Sequence, residues 1–346
     1  MKLQQFFAAL LLVAGLVLAA AVTGCANNGS SSAGGEVQLM NVSFDASRPF
    51  YAAYNEYFSA RYNREHGVRL TVRQTHGGSG KQARAVIDGL QADVVTLALA
   101  ADVDALHTHG GLVDANWSTR FPNGAAPVTS TIVLLVRKGN PKGIRDFSDL
   151  ARSDLSIVTA NPKTSGGARL AYLALWAYAQ KSPGGTPESA RTFVANVYSH
   201  VPVMDSGARA ALTTFLERGL GDVLLSWENE ALFAAEELAK DRVEIVTPSA
   251  SILAEPPVAV VNRVAEKRKT QSVAQAYLDG LWSREAQELA AKHHFRPRDP
   301  EVLERHRAHF PKLTLYSVDE VFGSLAQAQK LHFAEGGVFD QLIAKH

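Results

Sequence analysis

From Val37 onward, short β-rich runs alternate with helical stretches, and this alternation restricts the chain to sheets built from strand–helix–strand units. Val37–Val42 reads as a strand. Pro49 then sits near the first turn of a helix, where its missing N–H costs nothing. Phe50, Tyr54, Tyr57, Phe58 and Tyr62 form the apolar stripe of that helix, and Gly67 ends it. Val68–Arg73 and Val94–Leu99 read as further strands, followed by helices over Ala83–Leu90 and Asp102–His109. Thr131–Arg137 leads into a second unit of the same kind. Its strands are Ile157–Thr159, Val201–Met204, Val223–Ser226 and Val243–Val246, and its helices are Ala168–Gln180, Ala208–Arg218 and Glu228–Ala239. Val258–Val261 looks like a return path, and mostly helical chain follows: Ala265–Trp282, Arg284–Lys292, Val318–Lys330 and Phe339–Lys345. The expected architecture is α/β, with two lobes that each hold a parallel sheet covered by helices on both faces. Lobe 1 is placed at 36–128 plus 256–346 and lobe 2 at 129–255.

Charge narrows the function. Lys plus Arg number 35 against 34 Asp plus Glu, a formal net charge of +1. A nucleic-acid binder of this size would carry a basic excess. A chain that seeks anions without bulk positive charge must hold them with local dipoles. The N-terminus departs from this balance: Lys2 precedes an apolar run from Phe6 to Val22 that ends in Thr23-Gly24-Cys25. A short basic start and an apolar core mark an export signal. The flank resembles a bacterial lipoprotein signal, in which the residue matching Cys25 becomes the lipidated first residue. Cys25 is the chain's single cysteine and can form no internal disulfide. Residues 1–24 are accordingly read as a signal peptide. Residues 25–35 follow as lipidated cysteine and flexible tether, the spacer reaching roughly 15–20 Å.

Three strand-to-helix loops repeat one idea: Thr75-His76-Gly77-Gly78-Ser79-Gly80-Lys81, Asn161-Pro162-Lys163-Thr164-Ser165-Gly166-Gly167-Ala168-Arg169, and Asp205-Ser206-Gly207-Ala208-Arg209. Glycine lets backbone approach a ligand closely, and the first N–H groups of a helix lack internal partners. The helix dipole adds partial positive charge there. Ser/Gly turns also serve merely to cap helices. Three of them at the C-terminal ends of strands, where open α/β sheets bind ligands, point to an anion site between the lobes. Lys81, Arg169 and Arg209 lie in or near first turns, where a cation opposes the dipole, so a compensating negative charge is expected nearby.

Other features lead elsewhere. Gly77–Lys81 lacks the leading glycine of a nucleotide-binding loop, Thr75 standing there, and Gln82 replaces its Ser/Thr. His107 and His109, two apart on a helix, suit a solvated face. His293-His294 shows no ligand cluster in the neighbouring sequence, so it reads as structural and no metal site is expected. Glu228 and Glu230 suit the first turn of a helix. A hydrolase using Ser79 or Ser165 as nucleophile is the alternative of another class. No G-x-S-x-G elbow supports it.

The loop residues resemble the bacterial periplasmic sulfate-binding protein family, solute receptors of sulfate and thiosulfate import. The likeness runs from NVSFD (Asn41–Asp45) to GGVFDQ (Gly336–Gln341), through HGGSGKQA, TSTIVLLVRKGNPK, NPKTSGGAR, DSGARA, ERGLGDVLLSWENEA, EIVTPSASILAEP and FRPRD. It implies the two-lobed periplasmic binding protein fold (type II) with ligand in the interlobe cleft. Carried across, it assigns an N–H to Ser79, the hydroxyl to Ser165, N–H groups to Gly166, Gly167 and Ala208, and the indole N–H to Trp227. Asp45, Arg169 and Arg209 would surround these donors. It further implies no cofactor, a likeness to monomers, and as partner the permease and ATPase of an ABC importer. Cys25 departs from the freely released family pattern. Tungstate and molybdate, also tetrahedral and unprotonated, are rival ligands to sulfate and thiosulfate.

Overall fold

The computed structural model describes residues 35–344; the expected signal segment, Cys25 and nearly all of the tether lie outside them. No helix among the described residues is long and apolar enough to cross a membrane.

The chain opens with strand β1 (Glu36–Phe44), helix α1 (Arg48–His66), β2 (Arg69–Gly77), α2 (Ser79–Ile87), β3 (Val94–Thr96) and α3 (Ala100–Gly110). Gly67 closes α1 at φ 64°, a left-handed conformation that glycine adopts without penalty. After a one-turn helix α4 (Pro122–Ala125) and the short β4 (Val128–Thr129) come β5 (Ile132–Arg137), β6 (Ile157–Ala160), α5 (Gly166–Lys181), α6 (Pro187–Ser199), β7 (Val203–Asp205), α7 (Ala208–Leu216), β8 (Val223–Trp227), α8 (Glu228–Phe233) and β9 (Val243–Val246). β10 (Ala250–Ile252) and β11 (Val258–Val260) then lead to helices α9 (Asn262–Arg268), α10 (Gln271–Asp279) and α11 (Arg284–Lys292). β12 (Arg296–Pro297), α12 (Pro300–Arg305), β13 (Thr314–Tyr316), α13 (Val318–Phe322), α14 (Leu325–Ala328) and α15 (Val338–Ile343) complete the fold.

Two main sheets result, ordered β11-β3-β1-β2 and β7-β6-β8-β5-β9. The β1–β2, β1–β3, β6–β7 and β6–β8 pairs are parallel, as helix-bearing crossovers require. The sheets are mixed rather than purely parallel. β5 runs antiparallel to both β8 and β9, and β11 antiparallel to β3. β5 and β11 are the first strands after the chain passes from one sheet to the other, and they enter from the opposite end. The buried apolar run Ile132–Val136 suits β5, which lies between β8 and β9, whereas β11 stands at the edge of its sheet.

Several long helices expected from periodicity are broken. Ala265–Trp282 divides at Lys269, whose left-handed φ of 58° ends α9 before α10 begins. Glu228–Ala239 becomes α8 followed by a π turn over Ala234–Leu238. Helix α6, absent from the sequence reading, is announced by a Thr186 capping box and Pro187 at its first position. The C-terminal stretch packs on the second sheet's helices: β13 pairs with β10, Lys163 reaches Asp340 at 2.7 Å, and the Tyr172 hydroxyl meets His332 Nδ1 at 2.9 Å.

Candidate functional site

Strand register brings the three loops together. β1 and β2 end side by side, Phe44 facing Gly77, so Asp45 and Gly78 emerge as neighbours. β6 and β7 end with Ala160 facing Asp205, and Asn161 N–H donates to the Asp205 carbonyl at 2.7 Å. The two pairs of loops then meet. A Cβ on Gly78 would stand 2.5 Å from the Thr164 carbonyl oxygen and 2.7 Å from that of Ser206. Only a residue without a side chain permits that approach.

Where they meet is a small cavity lined by Phe44, Asp45, Ala46, Gly77, Gly78, Ser79, Ser165, Gly167, Ala208 and Trp227. Its volume is about 10 Å³, roughly the room of a single water. Larger grooves of about 390 Å³ beside Trp117 and about 460 Å³ between α2, α3 and the C-terminal helices contain none of the six candidate donors. Gly166 is not among the lining residues but adjoins Ser165 and Gly167, and a Cβ on it would stand 3.1 Å from Ser79 Cβ. Among the described residues, no lysine or arginine lines the cavity.

The donors facing this space are unspent. Ser79, Gly166 and Gly167, and Ala208 occupy the first positions of α2, α5 and α7, where backbone N–H groups have no intrahelical acceptor. The Ser165 hydroxyl caps α5 by accepting the Ala168 N–H at 3.2 Å, leaving its own proton free to donate. Trp227, 2% exposed at the end of β8, leans on Phe44 with ring centroids 5.1 Å apart. Its buried Nε1–H has no hydrogen-bond partner among the described residues. A Cβ on Gly167 would lie 2.6 Å from that nitrogen. A buried unpaired donor is costly and asks for an acceptor.

The Ser79 hydroxyl is fully engaged: it donates to Asp102 Oδ2 at 2.6 Å and accepts the Ala98 N–H at 2.9 Å. Only its N–H remains for the cavity.

Two of the three first-turn bases are neutralised from within the protein, while Lys81 is exposed and has no ion pair among the described residues. Arg169, 8% exposed, donates to Asp102 Oδ1 at 2.8 Å and to the Pro162 carbonyl at 2.9 Å. Arg209 pairs with the buried Glu230 at 3.1 Å and stacks over Phe233 at 4.8 Å. The sequence reading expected a negative charge near these bases and did not name Asp102 or Glu230. Nothing local marks either acid as a partner, since Asp102 is 67 residues from Arg169. Burial raises Glu230 to about 7, against the pull of Arg209. Glu228, instead of an ordinary exposed first-turn acid, is buried and held by Arg296 at 2.6 and 2.7 Å.

Asp45 lies nearer than the outer ring expected of it, since it lines the cavity. Its carboxyl accepts the Arg209 backbone N–H at the start of α7. Burial raises its pKa, while Arg48 and Arg209 oppose the shift. Asn229, also unforeseen, fixes the wall by donating to the Ala46 carbonyl at 2.7 Å. His107 and His109 are exposed as expected. His294 is not isolated: tertiary structure sets it beside His309, Glu236 and Glu237.

Comparison with known proteins agrees with this geometry. The profile for "Bacterial extracellular solute-binding protein" matches residues 44–296. A Sulfate-binding protein of Salmonella typhimurium is 56% identical over 307 residues, covering 89% of this chain and 93% of the relative. A Thiosulfate-binding protein of Pseudomonas aeruginosa is 47% identical over 342 residues, covering 99% of each. Among solved structures, the sulfate-binding protein SubI from Mycobacterium tuberculosis superposes with TM-score 0.76 at 29% identity, over 86% of this chain and 99% of that one. A periplasmic thiamin binding protein, 16% identical with TM-score 0.61 over 85% of this chain and 96% of that one, shares the fold. The α/β architecture is thus that of periplasmic solute-binding proteins, and the chain belongs to the bacterial extracellular solute-binding protein family.

Proposed function

We propose that this protein is an extracytoplasmic receptor that captures fully dehydrated sulfate, or thiosulfate, and delivers it to an ABC importer. The observation that carries this reading is the buried, unpartnered Trp227 Nε1–H beside the free first-turn N–H groups, around a cavity with no lysine or arginine in its wall. Ser79, Gly166, Gly167 and Ala208 donate backbone N–H groups, Ser165 its hydroxyl and Trp227 its indole N–H. Arg169 and Arg209 steady the loops from behind through Asp102 and Glu230, and Asp45 steadies the start of α7 from the cavity wall. The names of the Salmonella and Pseudomonas relatives favour sulfate and thiosulfate over tungstate and molybdate.

Six hydrogen bonds to a charged acceptor contribute about 1.5–3 kcal/mol each, roughly 9–18 in total. Association and desolvation remove much of that, leaving micromolar affinity or tighter. Selectivity rests on the six donors, with the one carboxylate of the wall, Asp45, turned to the start of α7 rather than offered to the guest. Sulfate brings no proton near neutral pH, whereas phosphate does, and a donor facing a donor costs on the order of 10⁴-fold.

Binding rather than catalysis suits both serines. The Ser79 proton is committed to Asp102, and no histidine hydrogen-bonds either hydroxyl among the described residues. The lobes would be organised around the two main sheets. Thr314–Ile343, read from sequence as part of the first lobe, packs on α6 and β10 and also on α3, which supports a place for it between the two sheets. A lipid on Cys25 would hold a monomeric receptor at the outer face of the cytoplasmic membrane or in the periplasm.

Calorimetry against sulfate, thiosulfate, tungstate, molybdate and phosphate tests this. Tight sulfate or thiosulfate binding with phosphate far weaker is expected, and equal affinity for phosphate would overturn the donor-only site. Hydrolysis of an activated ester, lost in Ser165→Ala, would favour an enzyme instead.

A further inference from the structure

Far along the chain from the oxyanion cavity, two histidines and two glutamates meet. His294 Nε2 lies 3.2 Å from Glu237 Oε1, and His294 Nδ1 lies 2.8 Å from His309 Nε2. His309 Nδ1 in turn lies 3.5 Å from Glu236 Oε1. Two neutral imidazoles supply the hydrogens of the two hydrogen bonds. His309 Nδ1 then turns a lone pair toward the Glu236 carboxylate, two acceptors that a shared cation, a proton or a metal ion, would reconcile.

We infer that His294, His309 and Glu236 form a binding site for a divalent transition-metal ion of the Zn²⁺ class, with Glu237 orienting His294. One ligand atom from each of the three lies within 4.8 Å of the others. Donors at Zn–N and Zn–O bond lengths on one tetrahedral ion stand about 3.3–3.5 Å apart. His309 Nδ1 and Glu236 Oε1 stand 3.5 Å apart while His309 Nε2 occupies His294 Nδ1. Taking up the ion requires the His309 ring to turn off His294 Nδ1, which frees that nitrogen to bind. Glu237 then plays the part that carboxylates take behind metal-binding histidines, accepting the other ring N–H and fixing the tautomer.

The backbone supports this ligand set. His294, 5% exposed, is held at φ 68°, a left-handed conformation rarely adopted by a residue with a side chain. Both glutamates stand on the π turn Ala234–Leu238, a local geometry frequent at functional sites. The glutamate side chains are about half exposed and that of His309 one quarter exposed, so an ion has a path from solvent. The ion would fasten the turn after α8 to the segments after α11 and α12.

The test uses the untagged protein, stripped with EDTA, dialysed and titrated with Zn²⁺ by calorimetry, with Co²⁺ absorption as a second probe. One equivalent should bind with micromolar affinity or tighter and raise the thermal midpoint. His309→Ala and Glu236→Gln, both at solvent-accessible positions, should each weaken Zn²⁺ about tenfold or more. Their thermal midpoints in EDTA should stay close to that of the parent, which separates ligand loss from misfolding. Absence of stoichiometric binding would show that a third proton fills the cluster and would overturn the proposal. Undiminished binding by both variants would overturn it equally, placing the ion elsewhere.

Discussion

The Arg169 guanidinium lies 2.8 Å from one oxygen of Asp102, and the other oxygen accepts the Ser79 hydroxyl at 2.6 Å. One carboxylate thus ties the start of α5 to the start of α2 and cancels a cation that would oppose the α5 dipole. Asp102→Ala leaves a guanidinium buried without its counter-charge. Loss of one partner from a buried pair costs about 3–5 kcal/mol. Urea denaturation should show a destabilisation of that size, and the oxyanion affinity should fall with it as the Ser79 N–H loses its position.

Trp227→Phe keeps the ring packed on Phe44 and removes the unpartnered Nε1–H. Sulfate affinity should fall by about 1.5–3 kcal/mol, one hydrogen bond to a charged group. Calorimetry reads the affinity and circular dichroism the unchanged fold. Unchanged affinity would show that the indole does not donate to the anion.

Gly167→Ala separates binding from stability. Alanine gains up to about 1 kcal/mol over glycine inside a helix, whereas overpacking costs about 1–3. The new methyl would sit 2.6 Å from Trp227 Nε1 and must push the indole away. The thermal midpoint should therefore change little or drop modestly. Sulfate affinity should drop by about tenfold or more, since a displaced donor forfeits a charged hydrogen bond.

His332 is fully buried against Tyr172, and burial lowers it from 6.5 to about 4. The unfolded chain takes up its proton first as pH falls, so the native state loses stability between pH 6.5 and 4. Glu230 works in the opposite sense: raised from 4.5 to about 7, it costs stability as pH rises through that interval. His332→Gln should make the acid-side decline shallower by about 1–2 kcal/mol between pH 7 and 5. Urea midpoints at the two pH values measure it; an unchanged slope would mean that His332 does not drive the acid loss.

Much of this architecture was legible because its signals are local. A β-rich run, an apolar stripe at helical spacing, Pro49 and Gly67 each act within about ten residues, and the observed strands begin close to where such signals place them. The three Ser/Gly loops were visible for the same reason: glycine and serine at a strand-to-helix hand-over state their chemistry on their own. Helix breaks were harder, since the left-handed turn at Lys269 and the π turn after Phe233 carry no distinctive residue.

Charge pairing was not legible at all. Asp102 and Arg169 are 67 residues apart, Glu230 and Arg209 are 21 apart, and His294 and Glu237 are 57 apart. Coulombic and hydrogen-bonded partners are chosen by distance in space and by burial, which only chain crossing and sheet register decide. The amino-acid sequence by itself determined which turns could donate to an anion. Tertiary structure decided that these turns meet around one small cavity, and that carboxylates of the protein itself neutralise the two arginines behind it.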